Sequence, residues 1–423
     1  MDLLTANDRP GEYPPSYYAA VNDLPEPRLA FEASAITDIA IVGAGYTGLS
    51  AALHLARRGY RVTVLEAQRV GFGASGRNGG QVGTGQRRDQ DWIERKAGSE
   101  AARHLWQMGL DAVSLVRSLA AEAGVPVKDG ILEAVYRPDR MPAAHIYADW
   151  LGTEYGYEKT ETFYRTDLRD LIDSPVYEGG VLDHGGAHLD PLAYVLGLAR
   201  LAEAAGVTIY ENSRVTGLTD RTVRTSKATL TAEHIILACN GYLGDLAPYV
   251  ADHVMPINNF IVATEPLPDP PIKRDIAVAD DKFVVNYFRM QDDRLIFGGG
   301  ESYGYRFPRD IARKVRGPLA RVFPQLKTVK ITHAWGGTLG ITMTRMPHLM
   351  RVGPATLSLS GYSGHGVAMG TLAGQIAAET IAGQAERFDT LAAIPAPPFP
   401  GGTFFRSPLL VLAMLGYRLR DML

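Results

Sequence analysis

The first regular hydrophobic pattern in the chain is an apolar run at residues 38–42. A glycine-containing turn follows it, then small apolar residues at helical spacing, and residues 61–66, with valine or leucine at 62, 64 and 65, form a second strand-like segment. Short apolar runs are typical of buried parallel strands, and small residues between them favour a helix that packs closely on the sheet. We therefore predict a strand–helix–strand unit of about 30 residues here.

Further helices and strands are indicated along the chain. The apolar spacing of residues 99–124 predicts a long helix, and residues 368–381 predict another. A helix is also expected to begin at Asp190, because an aspartate followed by proline is typical of a helix start. Short apolar runs predict buried strands at residues 207–210, 234–238 and 356–360. Runs bounded by turns predict antiparallel strands at residues 260–264, 283–285 and 295–297.

Residues 43–48, between the first strand and its helix, fit the pattern G-x-G-x-x-G. In a dinucleotide-binding unit, Gly43 forms the tight turn, Gly45 lets a pyrophosphate approach the backbone, and Gly48 lets helix and strand pack closely. Glu66 ends the second strand, where it can accept hydrogen bonds from a ribose. Because the motif follows a strand and opens a helix, we predict a dinucleotide site rather than a chance glycine turn.

Two more glycine-rich segments lie at residues 71–80 and 361–366. The first follows the strand–helix–strand unit directly and has few bulky side chains, which suits it to lie against a flat ligand. The second leads from a predicted strand into a predicted helix, so that the helix N-terminus can face a ligand and stabilise negative charge on it. A helix-capping turn without ligand contact is the alternative for the second segment.

With these segments the chain resembles the D-amino-acid-oxidase-like superfamily of FAD-dependent amine and amino-acid oxidoreductases. Within it, the leader, residues 73–81 and residues 408–412 are most similar to the gamma-glutamylputrescine oxidoreductase subgroup. The resemblance implies FAD as the cofactor. Arg77, after the glycine-rich segment, can reach the flavin, and pairing with a local carboxylate is its alternative. It assigns the following residues to the FAD site: Gly43, Gly45, Tyr46, Thr47, Gly48, Glu66, Ala67, Gly73, Ala74, Ser75, Gly76, Arg77, Asn78, Gly79, Gly80, Gln81, Val215, Asn240, Gly241, Gly361, Tyr362, Ser363, Gly364, His365, Gly366 and Val367.

The cysteine content of the chain indicates whether FAD is attached covalently. Some members of the superfamily tether FAD through a cysteine ahead of the C-terminal glycine motif, but residues 336–345 contain none. The one cysteine of the chain, Cys239, lies at a predicted strand end that approaches the adenosine side of the cofactor in the family. We therefore predict non-covalent FAD, and no metal site is expected.

The strand pattern and the resemblance together predict an α/β fold. A Rossmann-like FAD-binding domain, discontinuous in sequence, is expected beside a second α+β substrate domain built on an antiparallel sheet. Proline-containing residues 1–35 predict an irregular leader whose tyrosines hold it to a surface. The predicted ranges are 1–35 for the leader, 36–90, 178–255 and 340–385 for the FAD-binding domain, 91–177 and 256–339 for the substrate domain, and 386–423 for the tail.

For an amine substrate, the resemblance implies hydride transfer from the carbon next to nitrogen onto flavin N5, and hydrolysis of the imine to an aldehyde or keto acid. No catalytic triad is expected. Alternation places Tyr287 and Arg289 on one face of a predicted strand, and His333 and Trp335 on one face of another. We interpret these four residues and His365 as the catalytic candidates. A solvent-facing position for the first pair, and a structural role for His365, remain as alternatives.

We predict an FAD-dependent oxidoreductase acting on CH–NH or CH–NH2 bonds, with a gamma-glutamyl-polyamine or a related amine as substrate. The alternatives are a dehydrogenase or oxidase of N-alkyl or D-amino acids, and a non-catalytic flavoprotein subunit. The electron acceptor is oxygen or another compound. Relatives that react rapidly with oxygen carry a lysine where this chain has Ile296 or Phe297, and some carry a second one where it has Ala368.

Composition excludes several other classes. Hydrophobic residues are 46% and charged residues 21% of the chain, as in globular proteins, and a net charge of −3 argues against a nucleic-acid partner. No apolar run reaches the ~18 residues of a membrane-spanning helix. The single cysteine fits a reducing compartment, so we predict a cytoplasmic location. Residues 404–423 predict an amphipathic helix that docks on the core, forms a dimer contact or touches a membrane surface.

Overall fold

The structure, a computed structural model, describes residues 2–402. Its helices are α1 (Tyr17–Val21), α2 (Tyr46–Ala56), α3 (Gln90–Ala97), α4 (Ser99–Glu122), α5 (Met141–Tyr155), α6 (Arg165–Leu168), α7 (Pro191–Ala204), α8 (Pro248–Ala251), α9 (Ile311–Val322), α10 (Gly366–Ile381) and α11 (Glu386–Ala392). Its strands are β1 (Ala35–Val42), β2 (Val62–Leu65), β3 (Gln81–Val82), β4 (Val127–Val135), β5 (Thr160–Tyr164), β6 (Gly179–Leu189), β7 (Thr208–Tyr210), β8 (Gly217–Leu218), β9 (Thr222–Arg224), β10 (Thr229–Leu237), β11 (Met255–Thr264), β12 (Ala277–Asp280), β13 (Tyr287–Gln291), β14 (Arg294–Ser302), β15 (Ile331–Ile341), β16 (His348–Gly353) and β17 (Thr356–Ser360).

A mainly parallel sheet carries the first glycine motif. Its strands are ordered β16-β17-β10-β1-β2-β7, and β8 and β9 extend it from β10. Strand β1 is parallel to both β2 and β10, with Val42 opposite Leu65 on one side and Leu237 on the other. The carboxyl ends of these three strands therefore lie level, and the segments that follow them leave the sheet at one edge. This arrangement confirms the predicted strand–helix–strand unit.

Helix α2 packs closely on α10, the helix that follows the C-terminal glycine motif. A Cβ added to Gly374 of α10 would come 2.4 Å from the carbonyl oxygen of Thr47 in α2, so the absence of a side chain allows this approach. Leu49 and Leu372 of the two helices are fully buried in the same core. Because each helix starts at a glycine turn, their packing brings two distant parts of the sequence to one place.

The second sheet is mainly antiparallel. Its strands are ordered β15-β11-β14-β13-β12-β4-β6-β3, with β5 paired to β6, and only the pairing of β12 with β4 is parallel among them. Helix α9 contributes Val315 and Leu319 to a core that also contains Phe260 and Phe297. The predicted α/β fold, with a second α+β unit on an antiparallel sheet, is confirmed.

Two segments differ from their predicted structure. Residues 283–285 do not form a strand, because the Asp280 carboxylate accepts hydrogen bonds from the backbone and the side chain of Asn286 and so closes a loop over them. The leader is not irregular throughout, since the Ser16 hydroxyl caps the short helix α1, and Tyr18 of that helix is fully buried. The leader is thus a packed part of the fold.

The division of the chain into the predicted domain ranges stays a prediction. Strands β3 and β6 pair in the second sheet, although ranges 36–90 and 178–255 placed them with the first. The helix predicted at residues 404–423 lies outside the described residues. Among the helices of residues 2–402, none has both the length and the apolar character needed to cross a membrane. The cytoplasmic location stays a prediction.

Candidate functional site

A cavity of about 1120 Å³ lies between the carboxyl edge of the first sheet and the second sheet. Three segments contribute to its wall: the front turn (residues 43–48), the glycine loop (residues 71–80) and the rear turn (residues 361–366). The second sheet contributes residues such as Ile131 and Tyr287. Ligand cavities of drug-sized compounds have about 300–1,000 Å³, so this one can hold a dinucleotide-sized ligand.

The front turn leaves its backbone accessible at the start of α2. Gly43 has a φ of +105°, which side chains disfavour, and a Cβ on Gly48 would lie 1.9 Å from the Gly43 carbonyl oxygen. A Cβ on Gly45 would lie 2.8 Å from Ser75 Oγ, which accepts a hydrogen bond from the Tyr46 backbone N–H at 3.1 Å. Because glycine at positions 43 and 45 keeps side chains off the turn itself, the N-terminus of α2 is suited to bind phosphate beside the Ser75 hydroxyl.

Glu66 follows β2 at the same edge and lines the cavity. Its carboxylate accepts hydrogen bonds from the backbone N–H groups of Ala44 at 2.8 Å and Gln68 at 2.9 Å. Burial raises the pKa of Glu66, while these backbone hydrogen bonds lower it. Each carboxylate oxygen has a second lone pair, so Glu66 can still accept hydrogen bonds from ribose hydroxyls.

The glycine loop is held in one shape by Asn78. The Asn78 side-chain amide donates to the Ala74 carbonyl oxygen at 3.0 Å and accepts from the Gly80 backbone N–H at 2.7 Å. A Cβ on Gly79 would lie 2.7 Å from the ring of Tyr287. The loop therefore passes tightly between the first sheet and the second sheet, and only glycine fits at this crossing.

The rear turn is fixed to the first sheet and to α2. Tyr362 and Thr47 share a hydrogen bond of 2.8 Å between their hydroxyl groups. The side-chain oxygen of Asn240, which follows β10, accepts from the Gly361 backbone N–H at 2.9 Å. Ser363 has a φ of +53°, which is uncommon for a residue other than glycine. The turn is thus held in a defined conformation at the start of α10.

His365 lies at the N-terminus of α10 and lines the cavity. Burial lowers its pKa to about 4, with a contribution from the nearby charge of Arg87, so the imidazole is neutral near pH 7. Its Nε2 atom is buried and has no hydrogen-bond partner within residues 2–402. A buried polar atom without a partner is costly, so a ligand that supplies the partner is expected to bind here.

These features together fit FAD. The uncovered backbone of the front turn suits a pyrophosphate, and Glu66 beside it suits a ribose. The glycine loop and the rear turn, with the unpartnered Nε2 of His365, suit a polar ring system. The front turn and Glu66 would therefore hold the adenosine diphosphate part of FAD, and the glycine loop and the rear turn would hold the flavin part.

Most of the predicted FAD residues line the cavity, and their individual contacts with FAD stay predictions. Gly48, Gly76, Gly80 and Gly361 do not line it, because they let neighbouring segments approach each other; for example, a Cβ on Gly80 would lie 2.0 Å from the Leu189 carbonyl oxygen. The predicted residues that line the cavity are Gly43, Gly45, Tyr46, Thr47, Glu66, Ala67, Gly73, Ala74, Ser75, Arg77, Asn78, Gly79, Gln81, Val215, Asn240, Gly241, Tyr362, Ser363, Gly364, His365, Gly366 and Val367.

Arg77 forms the local ion pair that was its alternative interpretation. Its Nη1 donates to the Asp8 carboxylate at 2.8 Å and to the Gly336 carbonyl oxygen at 3.1 Å, and its Nε donates to the Phe72 carbonyl oxygen at 2.5 Å. The side chain is only 1% exposed, and Nη2 has no partner within residues 2–402. Arg77 therefore ties the leader to the glycine loop beside the cavity.

Two of the five catalytic candidates, Tyr287 and His365, line the cavity. The Tyr287 ring lies between glycines, since a Cβ on Gly79 or on Gly298 would come within 2.7 Å or 2.1 Å of it. Its hydroxyl donates to the side-chain oxygen of Asn259 at 2.5 Å, and burial raises its pKa above the ordinary tyrosine value. Tyr287 is therefore a rigid, uncharged part of the cavity wall.

The other three catalytic candidates do not line the cavity. Arg289 shares the face of Tyr287 as predicted, but it donates to the Gly79 carbonyl oxygen at 2.9 Å beneath the glycine loop. Trp335 is buried and donates to the Arg77 carbonyl oxygen at 3.1 Å, and His333 packs on the leader helix α1. These three side chains pack against other parts of the protein, and their catalytic role stays a prediction.

Part of the cavity wall was not found from the sequence. The run of charged residues at 87–89, which follows the glycine loop after strand β3, is a signal in the sequence that could have indicated Arg87. The others come from separate segments that meet only in the folded chain. We define the charged wall as Arg87, Glu133, Lys282, Glu301 and Arg345.

Comparison with solved structures shows the same fold. Glycine oxidase from Geobacillus kaustophilus superposes with a TM-score of 0.71 at 20% sequence identity, over 82% of this chain and 95% of that chain. L-proline dehydrogenase from P. horikoshii superposes with a TM-score of 0.67 at 22% identity, over 84% of this chain and 94% of that chain. At such low identity the likeness concerns the fold.

Comparison of sequences gives closer relatives. The chain is 39% identical to gamma-glutamylputrescine oxidoreductase of Escherichia coli (strain K12), over 97% of this chain and 99% of that protein. It is 41% identical to the probable oxidoreductase OrdL of Rhizobium meliloti (strain 1021), over 91% and 92% of the two chains. The family model for FAD-dependent oxidoreductases of the DAO type matches residues 38–380. The chain therefore belongs to the DAO family of FAD-dependent oxidoreductases, and FAD is its cofactor.

Proposed function

We propose that this protein is an amine oxidoreductase that oxidises a gamma-glutamyl-polyamine or a related amine at the carbon next to nitrogen. The observation that carries the proposal is the cavity, whose wall contains the front turn, the rear turn and the charged wall together. Such a cavity can hold FAD and a polar substrate side by side. The 39% identity to gamma-glutamylputrescine oxidoreductase over nearly the whole of both chains supports the same substrate class.

When bound, FAD supplies the two-electron acceptor for a hydride from the carbon next to the amine nitrogen. The residues of this chain bind and orient the amine. The ring of Tyr287 packs between Gly79 and Gly298 and its hydroxyl bonds to Asn259, so it offers the amine a defined surface. His365 is neutral, because burial lowers its pKa to about 4, and it adds no positive charge that would repel a cationic amine.

The electron acceptor, oxygen or another compound, is identified by a separate measurement. Ile296, Phe297 and Ala368, the three positions considered for an oxygen-activating lysine, are all buried. Hydrogen peroxide formed in equal amount to the aldehyde during aerobic turnover would identify oxygen as the acceptor. Turnover that needs an added dye or quinone, with no peroxide, would identify a dehydrogenase.

An anaerobic flavin-reduction screen tests the proposed reaction. Gamma-glutamylputrescine and related gamma-glutamyl amines should bleach the visible flavin absorbance of the FAD-loaded protein, whereas free FAD mixed with the same amines should stay yellow. Bleaching only by N-methyl or D-amino acids would select the alternative substrate class. Bleaching by none of the amines would contradict the proposal and favour a non-catalytic flavoprotein subunit.

A further inference from the structure

Two arginines of the charged wall, the half-buried Arg345 and the more exposed Arg87, have no carboxylate partner in the described part of the chain. Arg69 and Arg77, both nearly buried, each pair with a carboxylate within 2.9 Å. Within residues 2–402, the side chains of Arg87 and Arg345 make no hydrogen bond and no ion pair, although both line the cavity. Two guanidinium groups without a carboxylate partner at one cavity leave positive charge there that a bound anion would compensate.

The backbone around Arg345 holds this side chain in a defined place. Arg345 has a φ of +68°, in the left-handed region, and its N–H donates to the Thr342 carbonyl oxygen at 3.2 Å. The Thr342 hydroxyl donates to the Met346 carbonyl oxygen at 2.7 Å, and the Thr342 N–H donates to Ser363 Oγ at 3.2 Å. The turn that carries Arg345 is therefore attached to the rear turn. Left-handed backbone at a residue other than glycine is concentrated at ligand-binding sites.

Arg87 is brought to Arg345 by its neighbour in sequence. Arg88 donates from Nε to the Thr344 carbonyl oxygen at 2.8 Å, which joins the segment after the glycine loop to the Arg345 turn. Burial lowers the pKa of Arg345, Glu301 opposes this effect, and the charges of Arg87 and Arg88 lower the pKa further. Like charges held this close repel each other, and a bound anion relieves that repulsion.

The remaining charges of the wall limit which anion fits. Glu133 lines the same cavity, makes no ion pair within residues 2–402, and is close enough to Arg87 for that charge to lower its pKa against the raising effect of burial. Two nearby carboxylates, Glu133 and Glu301, would repel a doubly charged phosphate more strongly than a singly charged carboxylate. An adjacent ammonium group on the ligand would be attracted to the same carboxylates.

We propose that Arg345, together with Arg87, binds a carboxylate at the end of the substrate that is not oxidised, so that the enzyme selects amines carrying an amino-acid head group. Because it names the recognised class of amine, this inference rests on the proposed function. Planar guanidinium groups match the two oxygens of a carboxylate, and a charge-assisted pair of hydrogen bonds gives both affinity and orientation. Arg345 acts here as a specificity residue and takes no part in the chemical step.

Binding of two unreactive ligands tests the inference. Gamma-glutamylbutylamide keeps the amino-acid head group but has no terminal amine, and 4-aminobutanoylbutylamide lacks only the carboxylate. Isothermal titration calorimetry of the FAD-loaded protein should show at least about tenfold tighter binding of the first ligand. Arg345→Gln should reduce the ratio of the two dissociation constants to near one, and Arg345→Lys should retain part of it.

Two further variants keep the test clear of folding effects. Arg345→Gly removes the charge but suits the left-handed backbone, so it should also lose the preference. Arg351→Gln removes an exposed arginine that pairs with Asp389 outside the cavity, and it should keep the wild-type ratio. A wild-type ratio near one, or a ratio unchanged in both Arg345→Gln and Arg345→Gly, would overturn the inference.

The two proposals can fail separately. If gamma-glutamylputrescine bleaches the flavin but the carboxylate preference is absent, amine oxidation stands and the role of Arg345 is overturned. If the preference is present and depends on Arg345 but no amine bleaches the flavin, the carboxylate site stands and the proposed reaction is overturned.

Discussion

The hydroxyl oxygen of Thr47 lies 2.8 Å from the phenolic oxygen of Tyr362, and both side chains are buried. Thr47 belongs to the first turn of α2, behind the front turn, whereas Tyr362 belongs to the rear turn. Gly374 in α10 also packs closely against the carbonyl oxygen of the same threonine. The two turns that would hold opposite parts of FAD are therefore joined directly, without the cofactor between them.

Removing one hydroxyl group tests the contribution of this contact. We expect Tyr362→Phe to lower the free energy of unfolding by about 1–2 kcal/mol, because the buried Thr47 hydroxyl loses this partner. FAD should also bind more weakly. Urea unfolding of the apoprotein and a flavin-fluorescence titration measure the two effects. Tyr249→Phe, at an exposed tyrosine, is the matched control and should change neither quantity. Equal results for the two variants would contradict the expectation.

Adding one methyl group to the front turn should abolish FAD binding. In Gly48→Ala the new Cβ would lie 1.9 Å from a backbone oxygen, so α2 has to move away from the turn. We expect a destabilisation of about 3 kcal/mol and purified protein with little flavin. In Gly152→Ala, within α5, the nearest atom would be 3.9 Å away, and alanine should stabilise the helix by up to about 1 kcal/mol. Absorbance spectra and thermal melting compare the two, and normal flavin content in Gly48→Ala would disprove the argument.

The ion pair between Asp8 and Arg77 should stabilise the protein far more than a surface pair. Asp8→Asn leaves a guanidinium that is 1% exposed without its carboxylate, so we expect a loss of about 3 kcal/mol. Glu12→Gln breaks the pair with Arg9, whose side chains are 82% and 62% exposed, and should change stability by less than about 1 kcal/mol. Chemical unfolding measures both, and a similar effect of the two changes would show that the leader is not held in this way.

Acid should destabilise the protein partly through His348. Burial, and the charge of His253 whose ring stacks on it, lower the pKa of His348 to about 4, from about 6.5 in the unfolded chain. As the pH falls, His348 is therefore protonated in the unfolded state before it is protonated in the folded state. The contribution of the neutral His348 to the free energy of unfolding is complete above pH 6.5 and is lost as the pH falls towards 4. His348→Gln should make the loss between pH 7 and pH 4.5 smaller by about 2 kcal/mol. Urea unfolding over this range measures it, with exposed His104→Gln as the control; parallel profiles for all three proteins would contradict the assignment.

FAD should be released intact when the protein is denatured. Cys239, the only cysteine of the chain, is half-buried at the edge of the cavity. Desolvation raises the pKa of its thiol to about 12, and its sulfur lies 3.5 Å from the Val42 carbonyl oxygen. A thiol with so high a pKa is a poor nucleophile. Mass spectrometry of the denatured chain should give the mass of the polypeptide alone. A persistent increase by the mass of a flavin would refute non-covalent binding.

The sequence by itself determined the elements whose cause is local. The predicted helix over 99–124 is α4 (Ser99–Glu122), and the predicted strand at 356–360 is β17 (Thr356–Ser360). Gly43 has the positive φ that the fingerprint required, and Asp190 caps α7 through two backbone N–H groups. Hydrophobic period, capping and glycine conformation depend on neighbours in the chain, so they can be read without the fold. The fold class and the cofactor follow from the same local motifs.

Only the tertiary structure decided which side chains face the cavity. Alternation placed Tyr287 and Arg289 on one face correctly, but the docking of that face on the glycine loop left Tyr287 in the wall and Arg289 beneath the loop. Arg87 and Arg345 are far apart in sequence and line the same cavity because Arg88 bonds to the turn that carries Arg345. Periodicity fixes which residues share a face, whereas the partner of that face depends on contacts between segments that are distant along the chain.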